Sequence, residues 1–505
     1  MKISSKYYVI CAALALTISL SFEAQAQAQQ VAAAREKTNE TKADEKRETE
    51  LAEEVDKLKA KIEQLQSLIE QQQRALAEVQ ERMTAIAAKP PAAGSTSAQP
   101  SESVQAQKAD VALASTTKET RAQDKPAAVA GWDKNHAFLR GGDGRFETQI
   151  TGYGQLDFRG YQSGNHPPNT FLVRRARLAV EGRVDRYYRF KVEGDFADTN
   201  NTLLRDFYLR IQRLDEAQFT FGQFRVPISQ EEIRSDAYQD FVERSLVNNL
   251  VPSRSPGLML SGSISKGVFE YQVGAFNGKG LLAANDNGTP ETALRLRFNP
   301  WKHGDTFLTK GFIFGGAFTQ GRSLRGTSVR GQTESRSITF FSPDPINGRY
   351  TRANGELTWL LGPAAIRAEY VQTNQRRENL GANGVNLPGV VAKGYMAQAT
   401  YLLTGESKPE ADAVAPKRNV FGDETGKIGL GAWEVKFRYA SLQISDATAK
   451  SNRAETFYFG PNWYLNRFVR YTLDFGVERF NDSLRSPRPG DNSFFVVLSR
   501  IQVAF

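Results

Sequence analysis

Along most of the chain, from Phe146 to Phe505, polar and apolar residues alternate with a period of two. In residues 150–161, Ile150, Gly152, Gly154, Leu156 and Phe158 face one way, and Thr151, Tyr153, Gln155, Asp157 and Arg159 face the other. In 188–196, Tyr188, Phe190, Val192 and Phe196 alternate with Arg189, Lys191, Glu193 and Asp195. A period of two predicts strands. A soluble sandwich alternates as well, but its polar face mixes Thr, Ser and Lys more than it stacks arginine with carboxylates on successive strands. Charged residues facing a water-filled lumen, with apolar residues facing lipid, account for the pattern more simply.

The pattern predicts about sixteen antiparallel strands: 146–161, 170–183, 187–197, 203–213, 217–225, 257–265, 267–276, 291–299, 310–320, 351–361, 364–373, 393–403, 430–445, 453–465, 468–481 and 493–505. Connections after odd strands are mostly long (226–256, 277–290, 321–350, 374–392, 482–492), and those after even strands mostly short, as in transmembrane barrels. The connection 404–429 breaks this rule, so it either folds into the lumen or packs beneath it. On the last strand Phe495, Val497, Ile501, Val503 and Phe505 share one face. The expected fold class is an all-β transmembrane barrel over 132–505.

A different period precedes it. Leu51, Leu58, Leu65, Gln72, Val79 and Ile86 occupy d positions of a heptad, and Val55, Ile62, Ile69, Leu76 and Met83 occupy a. Ten of these eleven positions are apolar, which predicts a coiled coil over 51–88. Ile at a with Leu at d admits a dimer, while Leu76, Met83 and Gln72 leave a trimer open. Residues 89–131 are rich in Ala, Pro, Ser, Thr and Gln and read as a disordered linker. Residues 29–50 form a polar N-terminal segment.

Composition adds the compartment. Lys2 and Lys6 precede an apolar run from Tyr7 to Phe22, followed by small-x-small sites at Ala24-Gln25-Ala26 and Ala26-Gln27-Ala28. This predicts a cleaved signal peptide over 1–28. The single cysteine, Cys11, lies inside it, so disulfides and cysteine-bound metals are not expected in the mature chain. The net charge of +9 is carried by the C-terminal part, where 48 Lys and Arg stand against 38 Asp and Glu from Trp132 onward. Export rules against nucleic acid as the partner of that charge. The three histidines, His136, His166 and His303, are scattered, and no string supports catalysis, a cofactor or a metal site.

Several strings resemble the phosphate-selective porin O and P family over roughly 135–505. They are RRARLAVEG at Arg174–Gly182, GQFRVPIS at Gly222–Ser229, FVERSL at Phe241–Leu246, YQVGAFNG at Tyr271–Gly278, YLLTGE at Tyr401–Glu406, GAWEVKFRYASL at Gly431–Leu442 and NWYLN at Asn462–Asn466. The resemblance implies a trimeric sixteen-stranded outer-membrane porin whose third and fifth external loops narrow the pore. It also implies a ladder of basic side chains conducting anions, phosphate among them. The family's paired arginines match Arg174 and Arg175, and its next-strand lysine matches Lys191. At Arg177 the best-known members carry tyrosine, so this chain departs from them at a pore-facing position.

The residues expected on the anion path are Arg174, Arg175, Arg177, Arg189, Lys191, Arg225, Arg234, Arg244, Arg322, Arg325, Arg330 and Arg336. Arginine suits the task because its planar fork meets oxyanions and stays charged, and several weak sites in series let an ion move on. The competing role for these arginines is pairing with carboxylates such as Glu231, Glu232 and Glu243, or with outer lipopolysaccharide. Expected partners are inorganic anions, outer-membrane lipid and lipopolysaccharide, a homotrimer, and cell-wall contact through a periplasmic coil. A second function follows from the coil: tethering the envelope, with the barrel as anchor.

Overall fold

A computed structural model describes residues 128–505, apart from 134–135, 163–166, 199–202, 423–425, 446–451 and 482–491. The expected signal peptide, polar segment, coiled coil and the linker up to 127 lie outside the described residues.

Sixteen strands form the barrel: β1 (Phe146–Tyr161), β2 (Thr170–Val184), β3 (Tyr188–Asp195), β4 (Leu204–Leu214), β5 (Ala217–Arg225), β6 (Arg254–Ile264), β7 (Phe269–Phe276), β8 (Glu291–Phe298), β9 (Phe312–Thr327), β10 (Pro345–Leu361), β11 (Ala364–Arg377), β12 (Leu387–Leu402), β13 (Ala432–Ser445), β14 (Asn452–Tyr464), β15 (Val469–Phe480) and β16 (Ser493–Ala504). Each pairs antiparallel with the next, and β16 returns to β1 from Val496↔Tyr161 to Ala504↔Tyr153, so the sheet closes. Closure leaves no unpaired edge, the condition for a sheet to stand in lipid.

Some strands are longer than the alternation suggested. β9 runs to Thr327 and β10 begins at Pro345, which shortens the fifth long loop to 328–344; β6 and β12 likewise begin early, at Arg254 and Leu387. The cause is visible on β9 and β10, where Gln320, Arg322 and Arg349 replace apolar residues but backbone pairing continues. Hydropathy marks where lipid ends, not where the strand ends. Upstream of β1, Ala128–Asp133 and His136–Gly141 form a hairpin whose second strand pairs with Glu147–Ile150. Ordered sheet therefore starts four residues inside the segment read as linker.

The outward face carries the exposed apolar side chains, among them Phe171, Leu178, Val192, Phe221, Leu258, Phe318, Phe437, Phe459 and Ile501. Toward the short-turn end it bears aromatic rings, with Trp433 stacked on Trp463 at 5.2 Å and Trp359 against Phe312 at 5.9 Å. Such a band and girdle match a bilayer and its interface.

The inner wall is charged only in part, contrary to the simple expectation of a polar lumen. Toward the long-loop end of β11–β16, Val371, Val390, Leu442, Ile444, Val496 and Leu498 point inward and are buried. They seat Phe241, Val242, Leu246, Val247 and Leu250 of the third long loop and Phe340 and Phe341 of the fifth. Each such side chain contributes roughly 1.5–3 kcal/mol when removed from water. Both loops therefore fold into the barrel, as the family resemblance implied. The 403–431 connection also turns inward from the opposite end. Its Val414 packs on Leu402, Ala432 and Tyr464, and its Lys408 reaches Asp240 of the third loop at 2.8 Å.

Candidate functional site: the charged eyelet

The third long loop, 226–253, leaves β5 and crosses the lumen. Ser229 caps a single helical turn, its Oγ accepting from the Glu232 amide at 3.1 Å. The Gln230 side chain then donates to the carbonyls of Leu357 and Ala368, at 3.1 and 2.7 Å, on the far wall. Both capped ends of this bridge are buried, so every carboxylate on it needs a partner.

Three carboxylates organise the eyelet. Asp236 accepts from Arg177 (2.8 Å) and the Tyr153 hydroxyl (3.3 Å), and pairs with Arg175 (3.1 Å), Arg225 (3.3 Å) and Arg244 (2.6 Å). Glu243 takes Arg159 (2.5 Å), Arg174 (2.5 Å) and Arg336 (3.2 Å), with Arg175 and Arg500 each at 3.9 Å. Asp240 holds Arg234 (2.8 Å), Arg367 (3.2 Å) and Lys408 (2.8 Å), and accepts from Gln398 at 2.7 Å. Burial pushes all three carboxyls up, but the surrounding cations outweigh it and hold each well below the usual carboxylate range.

These three acids gather eleven cations. Asp157, Glu193, Asp195, Glu232 and Glu434 share them, at distances up to 3.5 Å, and three cations remain in excess. Two of the eleven keep substantial open surface: the Arg174 side chain is 24% exposed and that of Arg336 32%, whereas Arg175, Arg177 and Arg244 are below 10%.

A β-bulge brings two consecutive arginines to one side. Alternation would send Arg174 outward, yet the β1–β2 register slips between Gln155↔Arg175 and Leu156↔Val173. The unpaired extra residue is Arg174, and both guanidiniums face the lumen.

Of the residues expected on the anion path, Arg174, Arg175, Arg177, Arg225, Arg234, Arg244 and Arg336 meet at these carboxylates. Lys191 stands on the same wall nearer the short-turn end, between Glu181 (3.5 Å) and Glu193 (3.1 Å). Arg189 is exposed there and lines, with the half-buried Arg183 and Arg210, a cavity of about 430 Å³. Arg322 stands at the long-loop rim beside Glu378 (3.3 Å), Arg325 is exposed there, and Arg330 donates to the Thr339 hydroxyl at 2.8 Å.

Other contributors were not singled out from sequence. Arg438 joins the two inward loops: it pairs with Glu334 of the fifth, donates to the Glu243 carbonyl at 2.8 Å, and lies 4.1 Å over the Phe241 ring. Its signal was present, since Glu434, Lys436 and Arg438 alternate with Val435 and Phe437. Asp236 and Asp240 had none, being single acids in an irregular loop. Among the described residues no cluster fit to hold a metal ion occurs.

The family described as phosphate-selective porin O and P matches residues 148–505. The chain belongs to this family. Porin O of Pseudomonas aeruginosa is 28% identical over 165 residues, which cover 30% of this chain and only about a third (34%) of that relative. Similar solved structures include a loop-deletion mutant of the outer-membrane protein OmpT of Vibrio cholerae (13% identity, 71% of this chain and 99% of that one, TM-score 0.47). An anion-selective porin from Comamonas acidovorans shows 13% identity over 71% of this chain and 99% of that one, with a TM-score of 0.44.

Proposed function

We propose that this family member is an outer-membrane porin for passive diffusion of anions, phosphate or related oxyanions among them. The observation that carries the reading is the excess of arginine over carboxylate at the eyelet, with Arg174 and Arg336 open to the lumen. An anion entering past the rim arginines meets these two first. It displaces part of their bond to Glu243, which keeps each site weak enough to release the ion. Lys191 and Arg189 then receive it toward the short-turn end. The more buried arginines fix the loop and supply the positive field.

The test is the reversal potential of single channels in a planar bilayer under a salt gradient, with chloride and then phosphate. Anion selectivity is expected; cation selectivity, or no channel, would refute the reading. In this reading the protein is a homotrimer in outer-membrane lipid, with lipopolysaccharide around its basic rim. The unbroken heptads at 51–86 favour a second, coexisting role, a tether from barrel to cell wall. Deleting 27–127 is expected to weaken the envelope and leave conductance unchanged; an intact envelope would remove the tether.

A further inference from the structure

On one side of the barrel a belt of cations tops the outward apolar band. Arg322, Arg349, Arg376, Lys393, Arg453 and Arg479, on β9–β12, β14 and β15, alternate with inward side chains and so point outward. All are exposed, the side chains of Arg322, Arg376 and Arg453 by 50, 66 and 46%. At the same end of β2, β4 and β6 the outward residues are Phe171, Val173, Phe207 and Leu258, all apolar.

The strands set the height of the belt. Arg322 stands ten residues from Phe312, Arg349 ten from Trp359, Lys393 ten from Leu403, and Arg453 ten from Trp463. Phe312, Trp359 and Trp463 belong to the girdle at the short-turn end, and the Leu403 amide donates to the Trp433 carbonyl there at 2.7 Å. Ten residues advance about 33 Å along a strand. A tilt of about 40° leaves ~25 Å along the membrane normal, which is the height of the apolar band. The cations therefore stand where acyl chains give way to headgroups, at the long-loop end.

The belt is short of negative charge. Glu378 takes Arg322 and Arg376, each at 3.3 Å, and Glu455 takes Arg453. Lys393 and Arg479 pair with no carboxylate among the described residues, and Arg479 lies 5.4 Å over the Phe457 ring. Arg322 and Arg349 are directly opposite across β9 and β10. Such a like-charge pairing costs stability, and an anion between the two would relieve it.

We propose that this belt binds the phosphates of lipopolysaccharide in the outer leaflet. The guanidiniums fork onto phosphate oxygens and Lys393 adds a point charge. The acyl chains lie against the exposed Phe318, Tyr395 and Phe459, nearer the short-turn end of the same strands. The site deepens the porin reading. It rests on the outer-membrane placement in that reading and not on anion passage, since these side chains face away from the lumen.

Native mass spectrometry of the full chain in mild detergent tests this. The bis-phosphorylated lipid anchor of lipopolysaccharide is expected to bind at least tenfold more tightly than the same anchor without phosphates, and than phosphatidylglycerol. A tenfold excess of inorganic phosphate should not displace it. Lys393→Gln, Arg453→Gln and Arg479→Gln together are expected to weaken it at least tenfold and leave the reversal potential unchanged. Arg453→Lys with Arg479→Lys keeps the charge and should hold binding within about threefold. Equal binding of the dephosphorylated anchor or of phosphatidylglycerol, displacement by phosphate, or unchanged binding in the triple variant overturns the proposal. Should the triple variant not fold, the comparison of ligands on the native chain decides. Cation-selective channels would sink anion passage separately, and recovery of the chain from the inner membrane would sink the placement.

Discussion

Two arginines on the same carboxylate illustrate how burial divides labour. Arg336 shares Glu243 with Arg175, yet its side chain is 32% exposed against 5%. Arg336→Gln is therefore expected to lower the anion-to-cation permeability ratio several-fold with little loss of stability. Arg175→Gln takes one of four arginines from Asp236 and leaves the buried Gln155 Oε1 without its donor, a loss of about 1–3 kcal/mol, and should show as a lower unfolding temperature. Equal effects of the two on both readouts would contradict this division. Acid sensitivity follows from the same acids. A carboxyl whose pKa is depressed in the docked loop stabilises docking at all pH above its ordinary value, and loses that contribution only as pH falls toward the depressed one. Asp236, Asp240 and Glu243 are depressed from ordinary values of 3.8, 3.8 and 4.5. Single-channel conductance should thus be steady from pH 7 to about 4 and become noisy only below; flicker beginning near pH 6 would contradict it. At this scale the basic residues were legible, because alternation assigns a face. The loop carboxylates that hold them were legible only as partners, since an irregular loop has no period to read.

The elements show why the apolar seat escaped the reading. On β13 the hydrophobic phase reverses partway. Lys436 and Arg438 point inward with Val435 and Phe437 outward, but beyond Tyr439 it is Ala440, Leu442 and Ile444 that point inward, with Ser441 and Gln443 outside. The backbone parity never changes; what changes is which face meets something apolar. β16 does the same, with Val496 and Leu498 inward above Arg500 and Gln502. Strand positions could be read because either phase has a period of two. The reversal carried the message that a loop lies inside, and a pattern scored only for period loses it. If the seat holds the loop, Leu246→Ala should cost about 2–5 kcal/mol of stability, and Leu246→Asp should release the loop and raise conductance several-fold. Unchanged conductance in Leu246→Asp would place the resistance elsewhere.

For the whole molecule, closure was predictable from an even strand count and the asymmetry of the connections, because both ends of such a sheet must meet on the same side. The N-terminal hairpin was not, since its six-residue strands are too short to stand out from the linker before them. Threefold assembly is a prediction at this scale: chemical cross-linking of the full chain in mild detergent should yield trimers, and a ladder ending at dimers would refute it. It also requires that the heptads over 51–88 associate in threes, because a two-stranded coil cannot follow a threefold axis.

The hairpin sits at the seam. Its second strand continues the line of β16 beside β1, just past the point where Gly152 and Phe505 exchange backbone hydrogen bonds at 2.8 and 2.9 Å, and Trp132 rests on Phe468. The chain rises from Ala128 to Asp133 and comes back down to Gly141 before β1 begins. A pull on Ala128, directed away from the barrel, runs along the strand axis, so its six residue pairs are loaded together in shear instead of being peeled one at a time. A load on the preceding chain would thus meet the hairpin before it reached the seam between β16 and β1.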